Sequence, residues 1–272
     1  MKNNLRKLIV AILAVVFIGS TGMYIYQNAQ MKAAEESYQS AEEIADIPEE
    51  IPEEIIEVEE PEVVLEKGWY EVEITGDEYM SVLKETDIDA LKEVNEDVLG
   101  WIVIPDTQLS YPLMAGRDNS YYLSHTWDHK PSSAGSVFVE KYNNTDLSDY
   151  HTIIYGHRMN NGSIFGSLGG YETAEHFEQN PYVYIYDANG VHRYDIFSAY
   201  EAAVGSRTYQ VGFKDDESKQ TFIDYCVESS VVDTGIVPTL EDKILTLSTC
   251  TAVGHEKKRW VVQARLQGMI VE

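Results

Sequence analysis

Basic residues are scarce in this chain of 272: 20 Lys and Arg stand against 46 Asp and Glu, a formal net charge of −26 at pH 7. Nucleic-acid binding needs clustered Lys and Arg to meet phosphates, and no such cluster occurs. Glycine-rich phosphate loops are missing, as are the C-x-x-C and H-E-x-x-H spacings. Those absences remove most nucleotide and zinc chemistries, and neither a metal nor another cofactor is expected. No internal repeat is visible. Only two cysteines occur, Cys226 and Cys250. In an oxidising exterior two cysteines could pair, and spacing alone does not decide the matter.

The excess charge is unevenly spread. Between Glu35 and Glu66 there are 14 acidic residues and no Lys or Arg. Ahead of that run, Lys2, Arg6 and Lys7 precede an apolar stretch from Leu8 to Ile18, continued through Gly19–Gly22 to Met23, Tyr24, Ile25 and Tyr26. Leu8 to Tyr26 is about the length that crosses a bilayer as a helix. The basic flank lies on the N-terminal side, which places residue 1 in the cytoplasm and the rest outside. The alternative is a cleaved signal peptide with Leu8–Ile18 as its apolar region, although no clear A-x-A site follows. Either reading exports the main domain. Residues 1–30 are thus expected to be a membrane anchor with a cytoplasmic tip. Residues 31–68 read as an extended Pro/Glu-rich stalk, because like charges repel and prolines break helices. Residues 69–272 form the extracellular domain.

Within that domain, Asp77–Lys84 and Asp87–Asn95 have helical patterns, with Asp87 as an N-cap. Strand-like runs follow at Trp101–Ile104, Ser136–Val139, Thr152–Tyr155, Tyr182–Tyr186, His192–Tyr200, Lys243–Ser248 and Trp260–Leu266. They are rich in Val, Ile, Tyr and Thr and are separated by Gly, Asn, Asp and Pro. One helix, Lys214–Glu228, interrupts them. Many short strands with few helices predict a mainly β fold, closed or nearly closed into a barrel.

Three residues at strand ends could carry chemistry. Cys250 closes the run Ile244–Cys250. His157 follows the strand Thr152–Tyr155 through Gly156. Arg259 opens the strand Trp260–Leu266, and a hairpin through Thr251–Lys258 would return it toward the thiol. Acyl transfer needs a nucleophile, and a thiolate serves near neutral pH. An imidazole can hold the proton or give it to a leaving amine. A guanidinium can stabilise the negative oxygen of a tetrahedral intermediate. Taken singly, each residue could equally be core, turn or surface.

The local phrases are more specific. Tyr155-Gly156-His157-Arg158-Met159, with Phe165 and Leu168 beyond, resembles the histidine motif of sortases. Thr246-Leu247-Ser248-Thr249-Cys250 resembles their T-L-x-T-C motif, and Arg259-Trp260-Val261-Val262 resembles the arginine strand that follows. The resemblance covers nearly all of residues 77–266. It is nearest to class B, through the helices before the first strand, the phrase Asp97–Ile102 leading to Tyr111-Pro112 and Asn119–Leu123, and the helix inserted near Lys214–Glu228. It implies a closed eight-stranded barrel with N-terminal helices and a helix inserted before the cysteine strand.

The resemblance also implies a function. Sortases cut a sorting signal near the C-terminus of a secreted surface protein, of the N-P-x-T-[NG] or L-P-x-T-G kind, after Thr. A thioacyl enzyme forms, and an amine of peptidoglycan or of a pilin resolves it. Cys250, His157 and Arg259 then take the catalytic roles. Asn119, Leu123, Thr221, Tyr225 and Ser248 match groove positions that bind the signal. Class B members often carry an acid directly after the cysteine, and here Thr251 stands there. Two other readings are a hydrolase that uses water in place of the amine, and a non-catalytic surface module that binds peptides.

The remaining histidines point elsewhere. His125 and His129 lie four apart but lack further ligands. His151, His176 and His192 read as surface residues, and His255 as a loop residue beside the site. Cys226, on the inserted helix, reads as a buried thiol, since a bridge to Cys250 would block the nucleophile.

Overall fold

The computed structural model describes residues 2–47, 63–65, 72–74, 77–250 and 257–270. It begins with one long helix, α1 (Lys2–Ile44). A short antiparallel pair follows, β1 (Val63–Leu65) with β2 (Val72–Ile74). Two short helices come next, α2 (Glu78–Leu83) and α3 (Ile88–Val94). Each is capped by an aspartate: Asp77 accepts from the Met80 amide and Asp87 from the Ala90 amide. These side chains satisfy donors that a helix start leaves open.

The barrel strands are β3 (Val98–Val103), β4 (Ser110–Met114), β5 (Val137–Val139), β6 (His151–Tyr155), β7 (Tyr182–Asp187), β8 (Gly190–Ala203), β9 (Ile244–Cys250) and β10 (Lys258–Ile270). The helices α4 (Ala174–Gln179) and α5 (Asp216–Ser229) lie between β6 and β7 and between β8 and β9. The sheet closes in the order β10-β8-β7-β3-β4-β5-β6-β9, so the expected eight-stranded barrel is present. Closure leaves no edge strand with open backbone groups. Two pairings are parallel, β4 with β5 and β6 with β9; the others are antiparallel.

Alternate side chains of each strand face opposite ways. Leu245 and Leu247 join the main core with Trp101, Ile102, Leu113, Phe138, Ile154, Ile185 and Val262. Ile244, on the other face of β9, packs under α5 with Phe197, Phe222 and Cys226. Cys226 is a buried free thiol whose pKa is pushed up to about 12 by loss of solvent. Three strands escaped the sequence reading: β1, which falls within the expected stalk, β2, and the barrel strand β4, which is short and holds Pro112.

The largest difference from expectation lies in residues 31–44. They were expected to be extended stalk, yet they continue α1 without a break. Gln30, Met31, Ala34, Ser37, Tyr38, Ala41, Ile44 and Ala45 are buried or partly buried, while Glu35, Glu36, Glu42 and Glu43 are exposed. That spacing is an apolar stripe of helical period. The acids repel one another only weakly from the solvent side, and Ala, Glu, Gln and Met are strong helix formers. The stripe docks on the barrel. Tyr38 donates its hydroxyl to the Gly135 carbonyl and meets Tyr111 edge-on at 5.0 Å. Trp127 donates Nε1 to the Ser37 carbonyl at 2.9 Å, and the Asp87 amide donates to the Ala45 carbonyl at 2.8 Å. The Pro/Glu-rich segment 48–62 lies outside the described residues.

Candidate active site

Three neighbouring strands bring the sequence candidates together. In the β9–β10 ladder, Arg259 is the direct backbone partner of Cys250. In the parallel β6–β9 ladder, Tyr155 is the partner of Ser248, and the Gly156 amide donates to the Ser248 carbonyl at 3.3 Å. Two residues further along those two strands stand His157 and Cys250. All three thus end at one rim of the barrel. Along β9, position 250 is in step with Ser248 and Thr246 and out of step with the core residues Leu245 and Leu247.

His157 is half-buried. Its Nε2 lies 2.8 Å from the Leu123 carbonyl oxygen. A carbonyl only accepts, so Nε2 carries a proton and Nδ1 is the basic nitrogen of the neutral ring. Two glycines make room for this ring. Gly135 has φ +62, and a Cβ there would meet the Tyr122 carbonyl oxygen at 2.5 Å and His157 Cδ2 at 3.0 Å. Gly156 lies against the Phe165 ring, where a Cβ would fall 2.8 Å from Cγ. The loop then folds back, and the Phe165 amide donates to the His157 carbonyl at 3.0 Å.

Arg259 is half-buried at the start of β10, with Nη1 donating to the Lys258 carbonyl at 2.9 Å. Its charge reaches the Tyr155 phenol, although burial and the Glu140 carboxylate hold that phenol protonated far above neutral pH.

The five groove candidates are placed as follows. Leu123 ends the 3-10 turn Tyr121–Leu123; it is 39% exposed, and its carbonyl holds His157. Asn119 donates Nδ2 to both oxygens of buried Glu140 at 2.7 Å and accepts from the Lys141 amide at 2.9 Å. Thr221 is exposed on α5 and donates to the Glu217 carbonyl at 2.7 Å. Tyr225, also on α5, is partly buried against both clusters beneath that helix and meets Tyr200 edge-on at 6.1 Å. Ser248 is buried, with Oγ 3.0 Å from the Tyr209 hydroxyl.

Sequence reading missed Glu140, which accepts from Asn119 and from the Tyr155 hydroxyl at 2.9 Å. It also missed Gly135 and Tyr209. None lies in a recognisable phrase, and each matters only through contacts across the fold.

Two histidines expected at the surface are buried. His151 lies beneath α5, between the Thr246 hydroxyl and the Gln210 carbonyl, each at 2.7 Å. Loss of solvent lowers its pKa to about 4. His192 pairs with Asp187 at 2.9 Å. Both sit on strands whose two faces are covered, which a single-strand pattern does not reveal. His176 is partly buried, and desolvation lowers its pKa. His125 stacks on Tyr121 at 4.1 Å, and His129 Nδ1 lies 3.2 Å from the Tyr121 hydroxyl. His255 and Thr251 lie outside the described residues.

A closed barrel of this strand order, with a cysteine strand between a histidine strand and an arginine strand, defines a class. The sortase-domain family model matches residues 102–267. The chain belongs to the sortase family. Its relatives place it in class B. Sortase B of Listeria monocytogenes serovar 1/2a is 33% identical over 179 residues, covering 65% of this chain and 72% of the relative. A Staphylococcus aureus sortase B–substrate complex superposes with a TM-score of 0.63 at 29% identity, over 66% of this chain and 84% of that one. A sortase B complexed with triglycine gives a TM-score of 0.63 at 29% identity, over 66% and 85%. As a sortase, the chain is a cysteine transpeptidase.

Proposed function

We propose that the protein cleaves a C-terminal sorting signal at a Thr–x bond and joins the new end to an amine, with Cys250 as nucleophile. The observation that carries this is the register of three strands, which sets Arg259 opposite Cys250 and leads β6 into His157 beside them. Cys250 attacks the Thr carbonyl, and the thiol proton passes to the basic nitrogen of His157. Arg259 stabilises the oxyanion. His157 then protonates the departing amine, leaving a thioacyl enzyme, and deprotonates the amine that resolves it.

The signal lies along the groove bounded by Asn119, Leu123, Thr221, Tyr225 and Ser248. The relatives solved with a substrate and with triglycine support a peptide-binding site in such a barrel. The signal is of the N-P-x-T-[NG] or L-P-x-T-G kind, and the amine comes from peptidoglycan or a pilin. The apolar half of α1 anchors the chain in the cell membrane, N-terminus inside. Among the described residues this is a single helix long and apolar enough to cross a membrane.

Fluorogenic peptides of both kinds test the reading, with wild type and Cys250→Ala in parallel, with and without triglycine. Wild type cleaves at a Thr–x bond and forms a ligated product with triglycine, and Cys250→Ala loses at least about a thousandfold in rate. Cleavage that triglycine neither accelerates nor diverts would favour the hydrolase. Cleavage that survives in Cys250→Ala would overturn the assignment.

A further inference from the structure

The absence of a flexible link between the apolar and docked parts of α1 has a geometric consequence. From Ile12 to Tyr26 the helix is exposed, with Val15, Phe17 and Ile18 at 69–71%. Its buried stripe starts at Gln30, whose Oε1 accepts from the Ser133 amide at 3.3 Å. Only three residues separate Tyr26 from Gln30, about one turn or 6 Å of helix axis. No Pro or Gly interrupts Met23–Ile44.

We propose that the loop His129–Ala134 is a membrane-facing surface, held against the outer-leaflet headgroups by the rigid continuation of α1. The inference rests on the anchor reading above and adds an orientation to it. The loop's chemistry fits a lipid surface. His129, Lys130, Pro131 and Ser133 are exposed; Asp128 pairs with Lys130 at 2.6 Å and accepts from Ser37 at 2.9 Å, while on the adjoining helix Glu36 lies 3.9 Å from Lys32 and Glu35 lines the cleft beside Ala134. None of the six residues His129–Ala134 is acidic, in a chain with 46 Asp and Glu. An anionic leaflet repels acidic side chains, and His129–Ala134 presents none to it. Gly135, which lies against His157, directly follows the loop, so the site's mouth stands above it. Tyr38, which binds the Gly135 carbonyl, is 12 residues beyond Tyr26, about 18 Å along the helix. The far end of the docked stripe, Ala45 against Asp87, points away from the membrane.

Paramagnetic depth measurement on the full-length chain tests this. In a Cys250→Ala background, where the remaining Cys226 is buried, a nitroxide is placed at Ser133→Cys or at Asp89→Cys. Asp89 is exposed on α3 beside the far end of α1, about 22 Å further along the helix than Ser133. The protein is reconstituted in phosphatidylcholine/phosphatidylglycerol nanodiscs containing a nickel-chelating lipid. The expected result is relaxation at Ser133→Cys several-fold greater than at Asp89→Cys. A Gly/Ser linker of ten residues inserted after Gln27 should erase the difference. Equal relaxation at the two labels without the linker, or a difference that survives it, overturns the orientation while leaving the anchor standing. Failure of the full-length chain to float with liposomes overturns the anchor and the orientation together.

Discussion

At the residue scale the site depends on how the His157 ring is held. The Leu123 carbonyl fixes its tautomer and Gly135 leaves space beside it. Gly135→Ala adds a methyl 2.5 Å from the Tyr122 carbonyl oxygen, at a left-handed φ that L-residues avoid. The expected result is a loss of at least about tenfold in kcat, with about 1–3 kcal/mol of stability. Peptide-cleavage kinetics and urea melts check both. Arg259→Lys keeps the charge and loses the planar donor fork, so kcat should fall roughly a hundredfold with the fold retained.

His151 gives a pH effect that is independent of catalysis. Its folded pKa, about 4, is below the ordinary value of 6.5. The unfolded state therefore binds more protons between those values, and stability falls as pH drops from 6.5 toward 4. The shift amounts to about 3 kcal/mol when complete. His151→Gln should flatten that dependence between pH 7 and pH 4.5 in denaturant melts; an unchanged acid sensitivity would show that other groups control it. Cys250, His157 and Arg259 were legible because each lies in a phrase at a strand end. Glu140 was not, because its partners Asn119 and Tyr155 sit 21 and 15 residues away, and only the barrel brings them together.

At the element scale, the β9–β10 hairpin was readable from sequence, since a short loop separates two alternating runs. Its register then follows from burial, because a one-residue slip would turn Leu245 and Leu247 out of the core. The parallel β6–β9 pairing was not readable. Those strands are about ninety residues apart in sequence, and only closure of the barrel makes them neighbours. The docked half of α1 is hard to see in sequence because its dense acids mask the periodic stripe of Ala34, Tyr38, Ala41 and Ala45. That stripe predicts that Tyr38→Phe, which removes the hydroxyl from the Gly135 carbonyl and Ser136, costs about 1–2 kcal/mol. It should also lower kcat, because Gly135 touches His157. A variant as stable and as active as wild type would show that the docked helix contributes little to the site.

At the scale of the whole molecule, the folded unit starts near Gln30 rather than at the Trp69 boundary suggested by composition. A chain from residue 27 keeps the docked stripe, and one from residue 69 loses it. Burial of Tyr38 and its neighbours is worth about 4 kcal/mol, so the shorter chain should melt roughly 10 °C lower. Differential scanning calorimetry of the two decides this. The net charge of −26 places no constraint on the reaction, but it makes the acid-free loop at His129–Ala134 stand out from the rest of the chain.

The central claim is that Cys250 carries the acyl group. The chain from residue 27 is incubated with a signal peptide it cleaves, without any amine, and quenched in acid for intact-mass and peptide-mapping spectrometry. The expected result is an adduct with the mass of the N-terminal fragment, located on Cys250 and released by hydroxylamine. Cleavage with no adduct on Cys250, persisting in Cys250→Ala, would contradict it.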